Sequence, residues 1–174
     1  MSHGQRLYGD ADSTREPPFP LLLASEAGDV QQFRLLVAGG ADVNLRSPEG
    51  WSPLIMAAKE GHSELVRALL DHGAQPNAPD GCPTHTPIRG AALFGHVACV
   101  RALLDSAADP NGLSHGDKTA LMGAAMNGHA ETVSVLLAFG ARCEMVNTFG
   151  ETAQSLAEAK GHTECLAVLA STPP

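Results

Sequence analysis

The stretch Gly50–Asn77, GWSPLIMAAKEGHSELVRALLDHGAQPN, decides the fold of this chain. Its dipeptide Gly61-His62 returns at offsets of 34, 33 and 33 residues, as Gly95-His96, Gly128-His129 and Gly161-His162. A fixed period of about 33 residues is typical of stacked repeat proteins, in which each unit packs only on its neighbours.

One unit is predicted to be a pair of short helices. Ser52 is a good N-cap and Pro53 suits the first helical position, so the first helix begins there. Gly61 ends that helix, Ser63 is predicted to cap the second, and Gly73 ends the second. Both helices are shorter than the roughly 12–15 residues that an isolated helix needs in water. Each pair must therefore bury its apolar faces against neighbouring pairs.

Two further motifs recur in phase with this period. The first reads Ser52-Pro53-Leu54, Thr86-Pro87-Ile88, Thr119-Ala120-Leu121 and Thr152-Ala153. The second reads Gly40-Ala41-Asp42-Val43-Asn44, Gly73-Ala74-Gln75-Pro76-Asn77, Ala107-Ala108-Asp109-Pro110-Asn111 and Gly140-Ala141-Arg142-Cys143-Glu144. With these motifs the chain resembles an ankyrin-repeat protein over about nine-tenths of its length. The resemblance implies an all-α solenoid of stacked helix-turn-helix units with projecting loop or hairpin fingers.

The chain departs from the family pattern at one position. The histidine that usually follows Thr-Pro-Leu is absent, and Leu22, Ile55, Arg89, Met122 and Ser155 stand there. We interpret this as the loss of one local hydrogen bond per repeat, with the fold retained.

The predicted organisation is a single ankyrin-repeat domain, residues 17–170, between two short segments. Its repeats are expected at about 17–46, 47–79, 80–113, 114–146 and 147–170. Residues 1–16 are polar without a helical period, which indicates either plain disorder or a short recognition tail. Residues 171–174 form a C-terminal tail in which proline ends the last helix.

Composition narrows the classes of partner. The net charge of −8 disfavours sequence-independent nucleic-acid binding, which needs a basic surface. The sequence has no apolar run of about 18 residues, so no membrane span is predicted. The N-terminus lacks the apolar core of a signal peptide.

Four cysteines without C-x-x-C spacing are interpreted as reduced thiols: Cys82, Cys99, Cys143 and Cys165. We expect an intracellular protein, cytoplasmic or nuclear, that is a monomer or a subunit of a larger complex.

The sequence predicts no enzyme. It contains no G-x-S-x-G, Walker or H-E-x-x-H motif, so we expect no catalytic residues, no cofactor and no metal. The resemblance implies that the histidine of each Gly-His dipeptide bonds to neighbouring backbone. Exposed acidic residues on the second helices are interpreted as a solvated face.

The resemblance also implies that partner proteins lie in the concave groove formed by the fingers and the first helices. The candidate partner-binding residues at those positions are Trp51, Lys59, Glu60, His85, Leu93, Phe94, Met126, Asn127 and Phe149. Trp51 is predicted to be exposed on a finger, and Leu93, Phe94 and Met126 to form an apolar stripe. The alternative is that Phe94 or Met126 packs between repeats.

Asn44 and Asn111 form a second hypothesis. Each lies in a Leu-x5-Asp-x-Asn stretch, which is similar to the setting in which an oxygenase hydroxylates ankyrin asparagines. The alternative is that both simply cap the finger turn, a role that asparagine favours.

These observations together predict non-catalytic protein–protein recognition through the concave face and the finger loops, as in an adaptor. The alternative is a small regulatory inhibitor that blocks an enzyme such as a kinase, an analogy that rests on size and fold.

Overall fold

The computed structural model of the protein describes residues 19–77 and 86–171. The predicted segment 1–16, nearly all of the predicted tail, Cys82 and the candidate contact residue His85 lie outside these ranges.

Within the described ranges the chain is helical and contains no β-strand. The ten helices are α1 (Pro20–Ala27), α2 (Val30–Ala38), α3 (Pro53–Glu60), α4 (Ser63–Asp71), α5 (Pro87–Leu93), α6 (Val97–Asp105), α7 (Ala120–Met126), α8 (Ala130–Ala138), α9 (Ala153–Lys160) and α10 (Thr163–Ala170). Odd-numbered helices are the first helices of their repeats and even-numbered helices the second.

The helices stack in two layers. Each first helix packs on the first helix of the next repeat, each second helix packs on the next second helix, and the two helices of a repeat pack on each other. The first helices carry small residues in the core, such as Ala57 and Ala58, so their backbones approach closely. The second helices supply larger buried side chains such as Leu65, Val66 and Leu69. The predicted all-α solenoid is therefore confirmed.

Side-chain caps define where four of the first helices begin. The hydroxyl of Ser52 accepts a hydrogen bond from Ile55 N at 3.3 Å, and Thr86, Thr119 and Thr152 cap α5, α7 and α9 in the same way. The prediction that Ser63 caps the second helix is wrong, because Ser63 is its first residue and His62 occupies the cap position. The tight turn at Gly61, in which Ser63 N donates to Gly61 O at 2.9 Å, starts the helix one residue earlier.

A histidine and a glycine join each repeat to the next, and we call them a junction pair. The histidine Nε2 lies 2.9, 3.0, 3.2 and 3.0 Å from a carbonyl oxygen of the preceding repeat, joining His62 to Glu26, His96 to Lys59, His129 to Leu93 and His162 to Met126. A carbonyl only accepts, so Nε2 carries the proton. The predicted histidine–backbone bond is confirmed.

The glycine of the junction pair makes room for the ring. Gly61 has a φ of +83°, and a Cβ built on it would lie 2.6 Å from His96 Nδ1. The junction pairs are Gly28–His62, Gly61–His96, Gly95–His129 and Gly128–His162. Each ring thus lies over the turn of the preceding repeat, where only glycine leaves space.

Candidate protein-interaction face

The fingers and the C-terminal ends of the first helices form one surface, which we call the first-helix face. One backbone hydrogen bond closes each described finger, from Ser47 N to Trp51 O, Ser114 N to Lys118 O and Asn147 N to Glu151 O, at 2.9, 3.0 and 3.0 Å. Trp51, Lys118 and Glu151 therefore hold equivalent positions in their repeats. Thr148 N also donates to Gly116 O at 3.1 Å, which ties two successive fingers together.

Two phenylalanines are exposed on this face. Phe94, at the end of α5, is 48% exposed, and Phe149, on the last finger, is 75% exposed. Leu93 and Met126 are partly buried, and Asn127 is exposed with its amide donating to Gly123 O at 2.9 Å. This exposure does not agree with packing of Phe94 between repeats; for Met126, which is partly buried, that alternative stays open.

Each exposed phenylalanine lies beside a lysine of the preceding repeat. Lys59 Nζ is 5.8 Å from the centroid of the Phe94 ring, and Lys118 Nζ is 6.0 Å from that of Phe149. Both distances lie within the range of cation–π attraction. Lys59 also pairs with Glu60 at 2.6 Å, so Lys59, Glu60 and Phe94 form one cluster. Each exposed ring thus has a lysine of the preceding repeat beside it.

Trp51 differs from its prediction, because it is partly buried rather than fully exposed. Ser47 N donates to Trp51 O at 2.9 Å and the Ser47 hydroxyl accepts from Trp51 N at 3.2 Å, which holds Trp51 at the base of its finger, two residues before the start of α3. Part of the Trp51 surface is therefore unavailable to a partner.

Two exposed apolar side chains were not predicted as contact residues. Leu113 and Val146 are exposed at equivalent positions, each one residue before a finger. The repeat period could have identified both residues as surface positions, because they hold the position that Arg46 holds in an earlier repeat. They widen the apolar area of the first-helix face.

Comparison with known proteins identifies the family. The family model described as "Ankyrin repeats (3 copies)" matches residues 21–114 and 91–173, most of the chain. The chain belongs to the ankyrin-repeat family. Ankyrin repeats are in general a non-catalytic module for protein–protein interaction.

Individual relatives share only part of their length with this ankyrin-repeat chain. It is 37% identical over 73 residues to a mitochondrial disaggregase of Bos taurus, covering 42% of this chain and 10% of that protein. It is 39% identical over 74 residues to human SH3 and multiple ankyrin repeat domains protein 1, covering 42% of this chain and 3% of that protein. It is 36% identical over 52 residues to human protein phosphatase 1 regulatory subunit 27, covering 30% and 34%. The chain thus spans about a third or less of each.

Asparagine side chains form a second connection between the ankyrin repeats. Asn44 Nδ2 donates to Gly73 O at 3.1 Å, and its Oδ1 accepts from Gln75 N at 3.0 Å. Asn111 makes the same pair of bonds to Gly140 O and Arg142 N, at 2.9 and 2.8 Å. The interpretation that these residues cap their own turn is therefore wrong, since both amides reach the next repeat. Their hydroxylation stays a prediction.

The two sides of the solenoid carry different charges. Second helices and the turns after them carry many exposed acidic side chains, including Glu64, Asp71, Asp105, Glu131 and Glu164. The first-helix face has mixed charge, with Arg46, Lys59, Arg89, Lys118 and Lys160 beside acidic residues such as Glu26, Glu60 and Glu151. Association through this face would therefore avoid the main source of negative charge.

The cysteines of the described ranges are free thiols with little nucleophilic character. Burial raises the pKa of Cys99 to about 11 and raises the pKa of Cys143 and Cys165. Since the thiolate is the nucleophile, a raised pKa lowers the reactive fraction of each thiol at neutral pH. In the part of the chain that the structure describes, no three His, Cys, Asp or Glu residues meet as metal ligands. None of the described helices is both long and apolar enough to cross a bilayer.

Proposed function

We propose that this ankyrin-repeat chain is a non-catalytic module that binds an apolar segment of a partner protein through the first-helix face. The observation that carries the proposal is the pair of exposed rings, Phe94 and Phe149, each beside a lysine of the preceding repeat. Leu93, Met126 and Asn127 lie along the same helix ends, and Trp51 lies at the base of a neighbouring finger.

General features of binding surfaces support this choice of face. Exposed aromatic rings make large contact areas with few rotatable bonds, and such residues are enriched at binding hot spots. Contiguous apolar area on a protein surface usually marks an interaction site. Lys59 and Glu60, at the edge of the first-helix face, would determine the register and orientation of the bound segment more than its affinity.

The test is a crosslinking pull-down from cells with matched variants. The double variant Phe94→Ala, Phe149→Ala removes both rings, and Phe139→Ala removes an exposed ring at the end of α8, a second helix. We expect proteins that wild type and Phe139→Ala capture equally and that the double variant loses. If the double variant captures the same proteins as wild type, the first-helix face is not the binding surface.

A second candidate, regulation of an enzyme by blocking it, is favoured by one observation. The chain is 36% identical over 52 residues to a protein whose name describes a phosphatase regulatory subunit. An inhibitor should abolish the turnover of one captured enzyme, a phosphatase or a kinase, at a stoichiometric amount. An adaptor should join two partners and leave their activities unchanged. Titration of the module into the activity assay of each captured enzyme separates the two.

The cellular setting follows from the same features. We propose that the protein acts inside the cell, in the cytoplasm or nucleus; its free described cysteines support this, because free thiols are typical of reducing compartments. The charge of −8 favours protein over nucleic acid as partner.

Asparagine hydroxylation remains part of the proposal, and the intact mass of cell-derived protein tests it. Added oxygen at Asn44 or Asn111 supports the modification, and an unmodified mass contradicts it.

A further inference from the structure

Two adjacent repeats lack a side chain where their neighbours have large ones. The equivalent residues of the five first helices are Leu23, Met56, Gly90, Gly123 and Leu156. Glycine inside a helix costs about 1 kcal/mol relative to alanine, so a reason for it is expected.

Close packing is not that reason. A Cβ built on Gly90 would lie 3.5 Å from Lys59 Cβ, and one on Gly123 would lie 3.6 Å from Leu93 Cδ1. Both are ordinary van der Waals distances, and neither glycine has a positive φ. Alanine would therefore fit at both positions, and the missing side chains leave room beside the preceding first helix.

The room at Gly123 is part of a pocket. This pocket has a volume of about 80 Å³ and lies between the last two described fingers and helices α5, α7 and α9. Its apolar lining includes Met122, Met126, Phe149 and Leu156. Its charged lining consists of Arg89, Lys118 and Glu151.

The charges give the pocket a positive balance. Arg89 is only 7% exposed, and burial lowers its pKa, but arginine stays protonated at neutral pH. Lys118 is a second cation, and Glu151 is the one carboxylate, with an oxygen that accepts from Asn147 Nδ2 at 2.8 Å. Two cations against one carboxylate stand out in a chain with a net charge of −8.

We propose that this pocket binds the side-chain carboxylate of an aspartate or glutamate that lies next to an apolar residue in the partner segment. The carboxylate meets Arg89 and Lys118, and the apolar neighbour packs on Phe149 and Met126. A guanidinium in a partly dehydrated site favours a carboxylate over other acceptors, because the hydrogen bond is charge-assisted. This inference rests on the proposed function and adds the chemistry of the partner.

A display experiment supplies the probe. A library of random twelve-residue peptides, displayed on phage through their C-termini, is selected on the full chain. Enriched peptides are then synthesised with amidated C-termini, and their affinities are measured by fluorescence anisotropy. We expect the peptides to share an acidic residue beside an apolar one. Changing that residue to its amide should weaken binding about tenfold or more, the size of one charge-assisted hydrogen bond.

Matched variants locate the contact. Lys118→Gln and Arg89→Gln, each checked for helicity by circular dichroism, should weaken binding by a similar factor. Arg142→Gln removes the same charge from an exposed side chain in the turn after α8 and should leave affinity unchanged. Gly123→Met introduces the residue that the second repeat has at the equivalent position 56, and it should fill the pocket and weaken binding. This variant still tests the pocket if Arg89→Gln does not fold.

The outcomes separate this inference from the proposed function. Three results with the peptides would overturn the carboxylate site: no peptide is enriched, the enriched peptides carry no acidic residue, or they need a free C-terminal carboxylate. The site is also overturned if folded Lys118→Gln and Gly123→Met bind the peptides as wild type does. Peptides without an acidic residue that lose affinity for Phe94→Ala would overturn the site and leave the proposed function standing, because Phe94 does not line the pocket.

Discussion

The junction pairs and the first-helix face follow the same period but have opposite patterns. Four successive junctions use the same two residue types, a glycine with positive φ and a histidine ring over it. One position before each of those glycines, and before the glycine that ends α9, the residues are Ala27, Glu60, Phe94, Asn127 and Lys160. Neighbouring positions on one helix end are thus uniform in one case and different in every repeat in the other.

The difference shows which positions the stack determines. A junction pair must satisfy a carbonyl of the preceding repeat and fit a ring into the space of a missing Cβ, so few residues qualify. A residue on the first-helix face meets solvent and can change without a cost to the stack. Variation within one chain therefore separates the structural positions from those available for recognition.

The largest expected effect breaks a junction. In Gly61→Ala, the new Cβ must displace the His96 ring and adopt a φ of +83°. A left-handed alanine costs about 1–2 kcal/mol, and loss of the His96–Lys59 hydrogen bond adds about 1 kcal/mol. We expect urea unfolding to show a loss of about 2–3 kcal/mol in the free energy of unfolding.

Gly161→Ala is the matched control for this junction. Gly161 has a φ of +72°, and a Cβ added there would meet no neighbouring atom within 4 Å. It should therefore lose only the conformational part, about 1–2 kcal/mol. Equal losses in the two variants would mean that the ring moves aside freely and that the junction does not determine the glycine.

A smaller effect, of opposite sign, is expected on the first-helix face. Gly90→Ala and Gly123→Ala should each raise the free energy of unfolding by about 0.5–1 kcal/mol, because alanine is the better residue inside a helix. Only Gly123→Ala should also weaken the selected peptides, since Gly123 lines the pocket and Gly90 does not. Destabilisation by either variant, measured by urea unfolding, would show that packing requires the glycine.

The fold was predictable because its signals repeat along the sequence. The period, the caps at Ser52 and Thr86, and the histidine bonds all follow from motifs that lie within one repeat or recur at one spacing. The start of α4 was missed because the turn at Gly61 brings the helix forward by one residue.

The pocket was not predicted, since its residues come from three repeats. Arg89 was noted only as a replacement for a family histidine, although its burial makes it the base of a charged pocket. Gly123 carries no signal until it is aligned with Met56 and Leu156 in the other first helices. The partial burial of Trp51 depends on how its finger rests on the repeat, which the period does not specify.

The smallest expected effect sharpens the comparison at Phe149. This ring is 75% exposed and its described aromatic contact is with Lys118 at 6.0 Å. Phe149→Ala should change the free energy of unfolding by no more than about 0.5 kcal/mol, as surface substitutions usually do. The same urea experiment measures it, and a loss well above about 1 kcal/mol would mean that the ring stabilises the last finger. A nearly unchanged stability together with lost partner binding would assign the ring to recognition, because an exposed phenylalanine that contributes little to the stack has no other evident role there.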